Sequence, residues 1–200
     1  MNSESMSKKI VWDLDGTLFD TWETHCEAIR KTYRRIYDAD ISMAKLICSQ
    51  AACLIDTIWN IFKDNYMEAL LLYQDMFIAL VSANKLEDKI NISEKLYGLV
   101  NQGYEMCLLT GRDKKTTEFI LRHFSIIGLF EMIYSIDECN NSKKQILQQQ
   151  PDKWKEYIYI TDSKKEVYDY RNFFSEIYFS IQIYVFLLAF YSIISFPVSK

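Results

Sequence analysis

The sequence predicts an α/β domain in which a long helical segment follows the first strand, and three observations predict it. Ile10-Val11-Trp12 is an apolar, β-forming run that ends abruptly in Asp13-Leu14-Asp15-Gly16-Thr17, the pattern of a strand closing in a tight turn. Residues 21–95 contain neither glycine nor proline and repeat apolar residues at helical spacing. From residue 96 onward short apolar runs alternate with helical patterns, as strand–helix repeats do. A length of 200 residues suits one such domain with an insertion rather than two full domains.

The elements follow in order. Alternation along the first strand puts Asp13 and Asp15 on the same side, where two carboxylates repel unless a cation, a proton or a substrate relieves them. Trp22, Ala28, Ile29, Tyr33 and Ile36 mark a first helix, and Ile47, Ala51, Leu54, Ile55 and Ile58 a second. Asp64 and Asn65 offer caps for a third helix carrying Met67, Leu70, Leu71, Gln74, Phe77 and Ile78. Breaks are expected at Asp40 and over 84–91. A short helix over 93–103 ends at Gly103, a strand runs over 104–109 into Thr110-Gly111-Arg112, and a helix starts at Asp113. Residues 126–136 supply a loop and third strand. Asn141-Ser142-Lys143-Lys144 opens a helix that Pro151 ends, 156–160 is the fourth strand, and 176–181 supplies the fifth.

Composition narrows the function. Half of the residues are hydrophobic, so a sizeable core is available, and a net charge of −4 gives no electrostatic case for a nucleic-acid polymer as partner. The five cysteines are scattered without a Cys-x-x-Cys pair, which points to free thiols in a reducing compartment. The polar stretch 1–9 has no apolar run of signal-peptide length, and a cytoplasmic location is expected. Residues 177–199 carry no charge. That run is short for a bilayer span once a strand is subtracted, so the tail at 181–200 is expected to dock on the sheet, membrane contact being the alternative.

Residues 10–20 resemble the first motif of the haloacid dehalogenase (HAD) superfamily in its phosphatase-type form, with the second Asp, as in phosphoglycolate phosphatase-like members. Three further pieces fall in the order of that family: Thr110 at the end of the second strand, a lysine (Lys143, or its neighbour Lys144) at a helix start, and Asp162 after the fourth strand. Thr161 and Glu166 depart from the family pattern, which has Gly and Asp there more often. The resemblance implies a Rossmann-like three-layer sandwich with a mainly parallel five-stranded core sheet, formed by 8–20 and 96–180. It also implies an all-helical cap over 21–95, in which Glu23, His25 and Arg30 are candidates for choosing the substrate.

The same resemblance implies the chemistry. Asp13 is the expected nucleophile, forming an aspartyl-phosphate, and Asp15 the acid and base that serves the leaving group and then water. Mg²⁺ is expected on Asp13, Asp162 and the backbone carbonyl of Asp15, with Glu166 orienting a metal-bound water. Thr110, Gly111 and Lys143 are expected to bind the phosphoryl oxygens, and Thr17 to brace the first loop. The expected substrate is a small phosphorylated metabolite or nucleotide. Two alternatives stay open: a phosphosugar mutase or phosphotransferase of the same superfamily, and a catalytically inactive binding module.

Overall fold

The computed structural model describes residues 8–88, 91–138 and 142–179. Its five strands are β1 (Lys9–Trp12), β2 (Glu105–Leu109), β3 (Met132–Tyr134), β4 (Ile158–Thr161) and β5 (Glu176–Phe179). They form one sheet in the order β3-β2-β1-β4-β5, and every pairing is parallel. The expected α/β class is therefore observed, with the sheet wholly rather than mainly parallel. β1 is central, and it pairs Trp12 with Leu108 on one side and with Ile160 on the other. The chain builds outward from β1 to β3 and then returns to place β4 on the opposite flank. That reversal opens a crevice at the carboxyl ends of β1 and β4, where open α/β sheets bind ligands.

Burial on both faces explains the strands' nearly continuous apolar sequences. Ile10, Trp12, Met106, Leu108, Ile158 and Ile160 join one core, whereas Val11, Cys107, Leu109 and Tyr159 join the other. Helices α5 (Ile92–Asn101) and α6 (Lys114–His123) contribute to the first layer. Helices α7 (Lys143–Gln149) and α8 (Pro151–Trp154) contribute Ile146, Leu147 and Trp154 to the second, and α9 (Lys164–Tyr170) packs Tyr170 against it.

Between β1 and α5 lie four helices: α1 (Trp22–Tyr37), α2 (Met43–Cys48), α3 (Leu54–Phe62) and α4 (Tyr66–Ser82). Cys26, Ala28 and Ile29 of α1 are buried, as are Ala69, Tyr73, Phe77 and Val81 of α4, which recur every four residues. Such rows let α1 and α4 pack along their lengths. Two local expectations are corrected here, and a third holds with an addition. The single helix expected across Ile47–Ile58 is two helices, because 49–53 leave the helical conformation and Cys53 starts a new one with its Sγ accepting from Asp56 N–H. Asp64 and Asn65 cap nothing with their side chains; Lys63–Asn65 form a turn of 3₁₀ helix leading into α4. Pro151 begins α8 as well as ending α7, at the first-turn position where its missing N–H costs nothing.

Cys26, Cys48, Cys53 and Cys107 are free thiols. Among the described residues no helix is long and apolar enough to cross a membrane. The apolar run 181–200 lies outside the described residues.

Candidate active site

The loops after β1, β2 and β4 and the start of α7 meet at the crevice. A cavity of about 880 Å³ lies among them, lined by Asp13, Asp15, Gly111, Arg112, Lys143 and Asp162 together with residues of the helical segment.

Asp13 is 6% exposed. Its backbone N–H extends the pairing with β4 by donating to Ile160 O at 2.9 Å. Its Oδ1 accepts from Leu14 N–H at 2.8 Å and pairs with Lys143 Nζ at 2.8 Å. Lys143 also reaches Glu166 Oε1 at 2.9 Å. This settles which of the adjacent lysines meets the first strand: Lys143 is 7% exposed, and Lys144 is a solvent-facing part of the cavity wall. Burial alone would discharge Lys143, but Asp13 and Glu166 more than offset it and hold its pKa well above normal. Burial pushes Asp13 up to about 7 against the pull of Lys143, with the charge of Glu166 adding to the rise.

Glu166 is tied to the sheet as well as to Lys143. Its Oε2 accepts from Tyr159 OH at 2.6 Å and from Thr161 Oγ1 at 2.8 Å. Burial raises its pKa, yet Lys143 and these donors bring it below normal. Thr161, where the family has Gly more often, thus serves as a bridge. It donates to Glu166 and lies 3.4 Å from Asp13 Oδ2.

Asp162 sits against the first loop for a steric reason. Gly16 has φ +74°, and a Cβ there would lie 2.0 Å from Asp162 Oδ2, so only glycine allows both the turn and the close approach. Thr17 Oγ1 accepts from Asp162 N–H at 3.0 Å, which ties the first loop to the end of β4. Burial raises the pKa of Asp162 against the pull of Lys143, and Glu166 and Asp15 add to the rise.

Asp15 has a partner that the sequence reading left out. Arg112, 3% exposed, donates through Nε to both carboxylate oxygens at 3.1 Å and through a terminal nitrogen to Oδ1 at 2.7 Å. Thr21 Oγ1 donates to Oδ1 as well, at 2.5 Å. Burial raises the pKa of Asp15, but Arg112 and Thr21 more than offset it and lower it below normal. Arg112 is seated on α4: its terminal nitrogen donates to Tyr73 OH at 3.1 Å and its guanidinium lies 4.2 Å from the Phe77 ring centre. An arginine after a strand-end Thr-Gly, on the strand next to the one carrying Asp15, is the signal that could have found it.

Thr110 is fully buried, and its Oγ1 accepts from Arg112 N–H at 3.2 Å. It braces the second loop, while Gly111 rather than Thr110 is part of the cavity wall. Gly111 O accepts from Leu54 N–H at 3.0 Å, and a Cβ on Gly111 would lie 2.8 Å from Ala52 O. The 50–54 loop therefore rests directly on the second motif. Of the three substrate-choosing candidates only His25 lines the cavity; Glu23 and Arg30 do not, and Arg30 points its guanidinium at Met43 Sδ, 3.7 Å away.

The residues present fit Mg²⁺. The donors are hard oxygens, and the space left by the missing side chain of Gly16 brings Asp162 beside the loop that holds Asp13 and Asp15. The carboxylate of Asp15 is occupied by Arg112, which leaves the carboxylates of Asp13 and Asp162 as the side-chain donors. Among the described residues no group of three or more acidic, His or Cys side chains is placed to hold a metal.

Comparison with known proteins gives a consistent result. Residues 10–169 match the family model described as haloacid dehalogenase-like hydrolase. The pyrophosphatase PpaX of Bacillus cereus (strain B4264) is 23% identical over 157 residues, spanning 78% of this chain and 70% of that protein. CbbY from Rhodobacter sphaeroides, solved in complex with phosphate, superposes with a TM-score of 0.68 at 16% identity, covering 84% of this chain and 83% of its own. A haloacid dehalogenase-like hydrolase from Streptococcus pneumoniae superposes with a TM-score of 0.60 at 22% identity, covering 82% and 80%. With four fifths of the chain inside the matched span, this protein belongs to the haloacid dehalogenase-like hydrolases.

Proposed function

We propose that the chain is a Mg²⁺-dependent phosphatase that hydrolyses a small phosphomonoester through an aspartyl-phosphate on Asp13, with the helical segment 21–95 acting as its cap. The observation that carries this reading is the 2.8 Å contact between Asp13 and Lys143, brought from strand and helix ends 130 residues apart into one cavity with Asp15 and Asp162.

Asp13 attacks phosphorus with a carboxylate oxygen while the bond from phosphorus to the leaving oxygen breaks, splitting one difficult hydrolysis into two steps. Lys143 and the N–H groups of the second loop stabilise charge on the non-bridging oxygens. Asp15 supplies the proton to the leaving oxygen, then takes one from the water that cleaves the aspartyl-phosphate. Its contact with Arg112 suits the second role, because Arg112 keeps the carboxylate ionised. For the first role Asp15 gives up that contact and carries a proton. Glu166 holds Lys143 from behind, so that the ammonium is shared between positioning and charge. Asp13, Asp162 and the carbonyl of Asp15 would hold Mg²⁺, which supplies screening of the repulsion between carboxylates and phosphate.

The test is phosphate release over a panel of phosphorylated metabolites with and without Mg²⁺, beside the Asp13→Asn protein. Release that needs a divalent ion and falls at least about a thousandfold in Asp13→Asn is expected. Equal release without any divalent ion would overturn the metal assignment.

A further inference from the structure

Three consecutive residues of α4 meet the loop after β2 and the start of α6. Tyr73 OH accepts from a terminal nitrogen of Arg112 at 3.1 Å, Gln74 Nε2 donates to Asp113 Oδ1 at 3.0 Å, and Asp75 pairs with Lys115 at 2.9 Å. The first contact differs from the other two because it continues into the site. Arg112 donates onward to Asp15 through Nε and its other terminal nitrogen.

The helical segment fixes where this guanidinium lies. A guanidinium has donors only, so the Tyr73 oxygen accepts from it while sharing a second hydrogen bond of 2.8 Å with His25 Nδ1. The Phe77 ring covers the guanidinium face. The planar fork in turn sets the orientation of the Asp15 carboxylate, whose two oxygens are not equivalent. Oδ1 accepts from Thr21 Oγ1 and from two guanidinium nitrogens, whereas among the described residues Oδ2 accepts only from Nε, at 3.1 Å. The Asp15 side chain stays 35% exposed and lines the cavity. Oδ2 is therefore the oxygen with capacity left for a proton from water.

We propose that Arg112 and Tyr73 are positioning residues for the second half of the reaction, holding Asp15 Oδ2 where it takes a proton from the water that cleaves the aspartyl-phosphate. The inference rests on the phosphatase reading above and adds the route by which the helical segment bears on that step. The water oxygen bonds to phosphorus, and the bond from phosphorus to Asp13 breaks and returns the Asp13 carboxylate. One water proton passes to Asp15, and inorganic phosphate leaves. Formation of the aspartyl-phosphate does not draw on this contact, since Asp15 leaves Arg112 to carry a proton there. Loss of the Tyr73 hydroxyl is felt only after the leaving group has gone.

The experiment follows p-nitrophenyl phosphate with Mg²⁺ in the full-length wild type, Tyr73→Phe and Gln74→Ala proteins. Tyr73→Phe is expected to lower kcat and KM together by about tenfold, leaving kcat/KM unchanged. It should also release a burst of about one p-nitrophenol per protein molecule before the slow phase. Gln74→Ala breaks the neighbouring contact, which has no route to Asp15, and is expected to match the wild type. A purely structural fault removes active molecules, lowering kcat at constant KM without a burst. That pattern in Tyr73→Phe, or an equal effect of Gln74→Ala, overturns the inference. Arg112→Lys keeps the charge without the fork; it is expected to repeat the Tyr73→Phe pattern, and it decides the matter if Tyr73→Phe does not fold. If the wild type leaves p-nitrophenyl phosphate and every metabolite of the panel intact, the phosphatase reading falls. NMR then decides the coupling: the Asp15 carboxyl ¹³C signal is expected to move in Tyr73→Phe and to stay in Gln74→Ala, and an unmoved signal in Tyr73→Phe overturns it.

Discussion

Replacing His25 with glutamine removes a buried base that the folded chain keeps unprotonated. The imidazole is 8% exposed, its Nδ1 shares a hydrogen bond of 2.8 Å with Tyr73 OH, and burial followed by the Arg112 charge lowers its pKa from 6.5 to about 4. Below pH 6.5 the unfolded chain takes up a proton here that the folded chain does not. The unfolded state then binds more protons, so stability rises with pH. The His25 contribution is intact above the unfolded pKa, is lost as the pH falls from 6.5, and stops changing below about 4. At about 1.4 kcal/mol per pH unit the whole window is worth roughly 3 kcal/mol, of which about 2 kcal/mol is gone by pH 5. Urea unfolding of wild type and His25→Gln between pH 5 and 7.5 isolates this contribution, because the other titrating groups are common to both proteins. The wild type should lose about 2 kcal/mol relative to the variant over that range. A difference between the two that stays constant with pH would refute the reasoning, and with it the neutral state of the imidazole in the cavity wall.

Other perturbations address the remaining parts. Lys143→Met leaves Asp13 and Glu166, both largely buried, without their shared counterion; a loss of about 3–5 kcal/mol in urea unfolding is expected, together with loss of phosphate release. In Gly16→Ala the new methyl group meets Asp162 Oδ2 at 2.0 Å in a left-handed backbone. A cost of about 1–2 kcal/mol from the backbone alone is expected, and calorimetric Mg²⁺ titration should show weakened binding. Gly111→Ala drives a methyl group to 2.8 Å from Ala52 O and loosens the Leu54 N–H bond to Gly111 O. The expected cost is about 1 kcal/mol, with faster amide exchange at Leu54 as the readout.

Much of the site was legible because its residues sit where strands end. Asp13, Thr110 and Asp162 each follow an apolar run, and a parallel sheet brings such ends to one edge whatever their separation along the chain. Lys143 was harder, since adjacent lysines have the same local pattern, and only the contact with Asp13 separates them. Arg112 escaped because a charged residue after Thr-Gly reads as surface; its burial depends on Tyr73 and Phe77, which come from a helix far away in sequence. The break at 49–53 escaped for a different reason. Ile47, Ala51, Leu54, Ile55 and Ile58 keep helical spacing through a loop whose residues are chosen by the cavity they line and by the approach to Gly111. Periodicity reports burial against a helix neighbour and is silent about a loop held from outside.

The central claim is that Asp13 carries the phosphoryl group, and acid-quenching the protein during turnover, reducing with borohydride and mapping the peptides tests it directly. Conversion of residue 13 to homoserine is the predicted result. Homoserine at another carboxylate, with residue 13 untouched, would contradict the account.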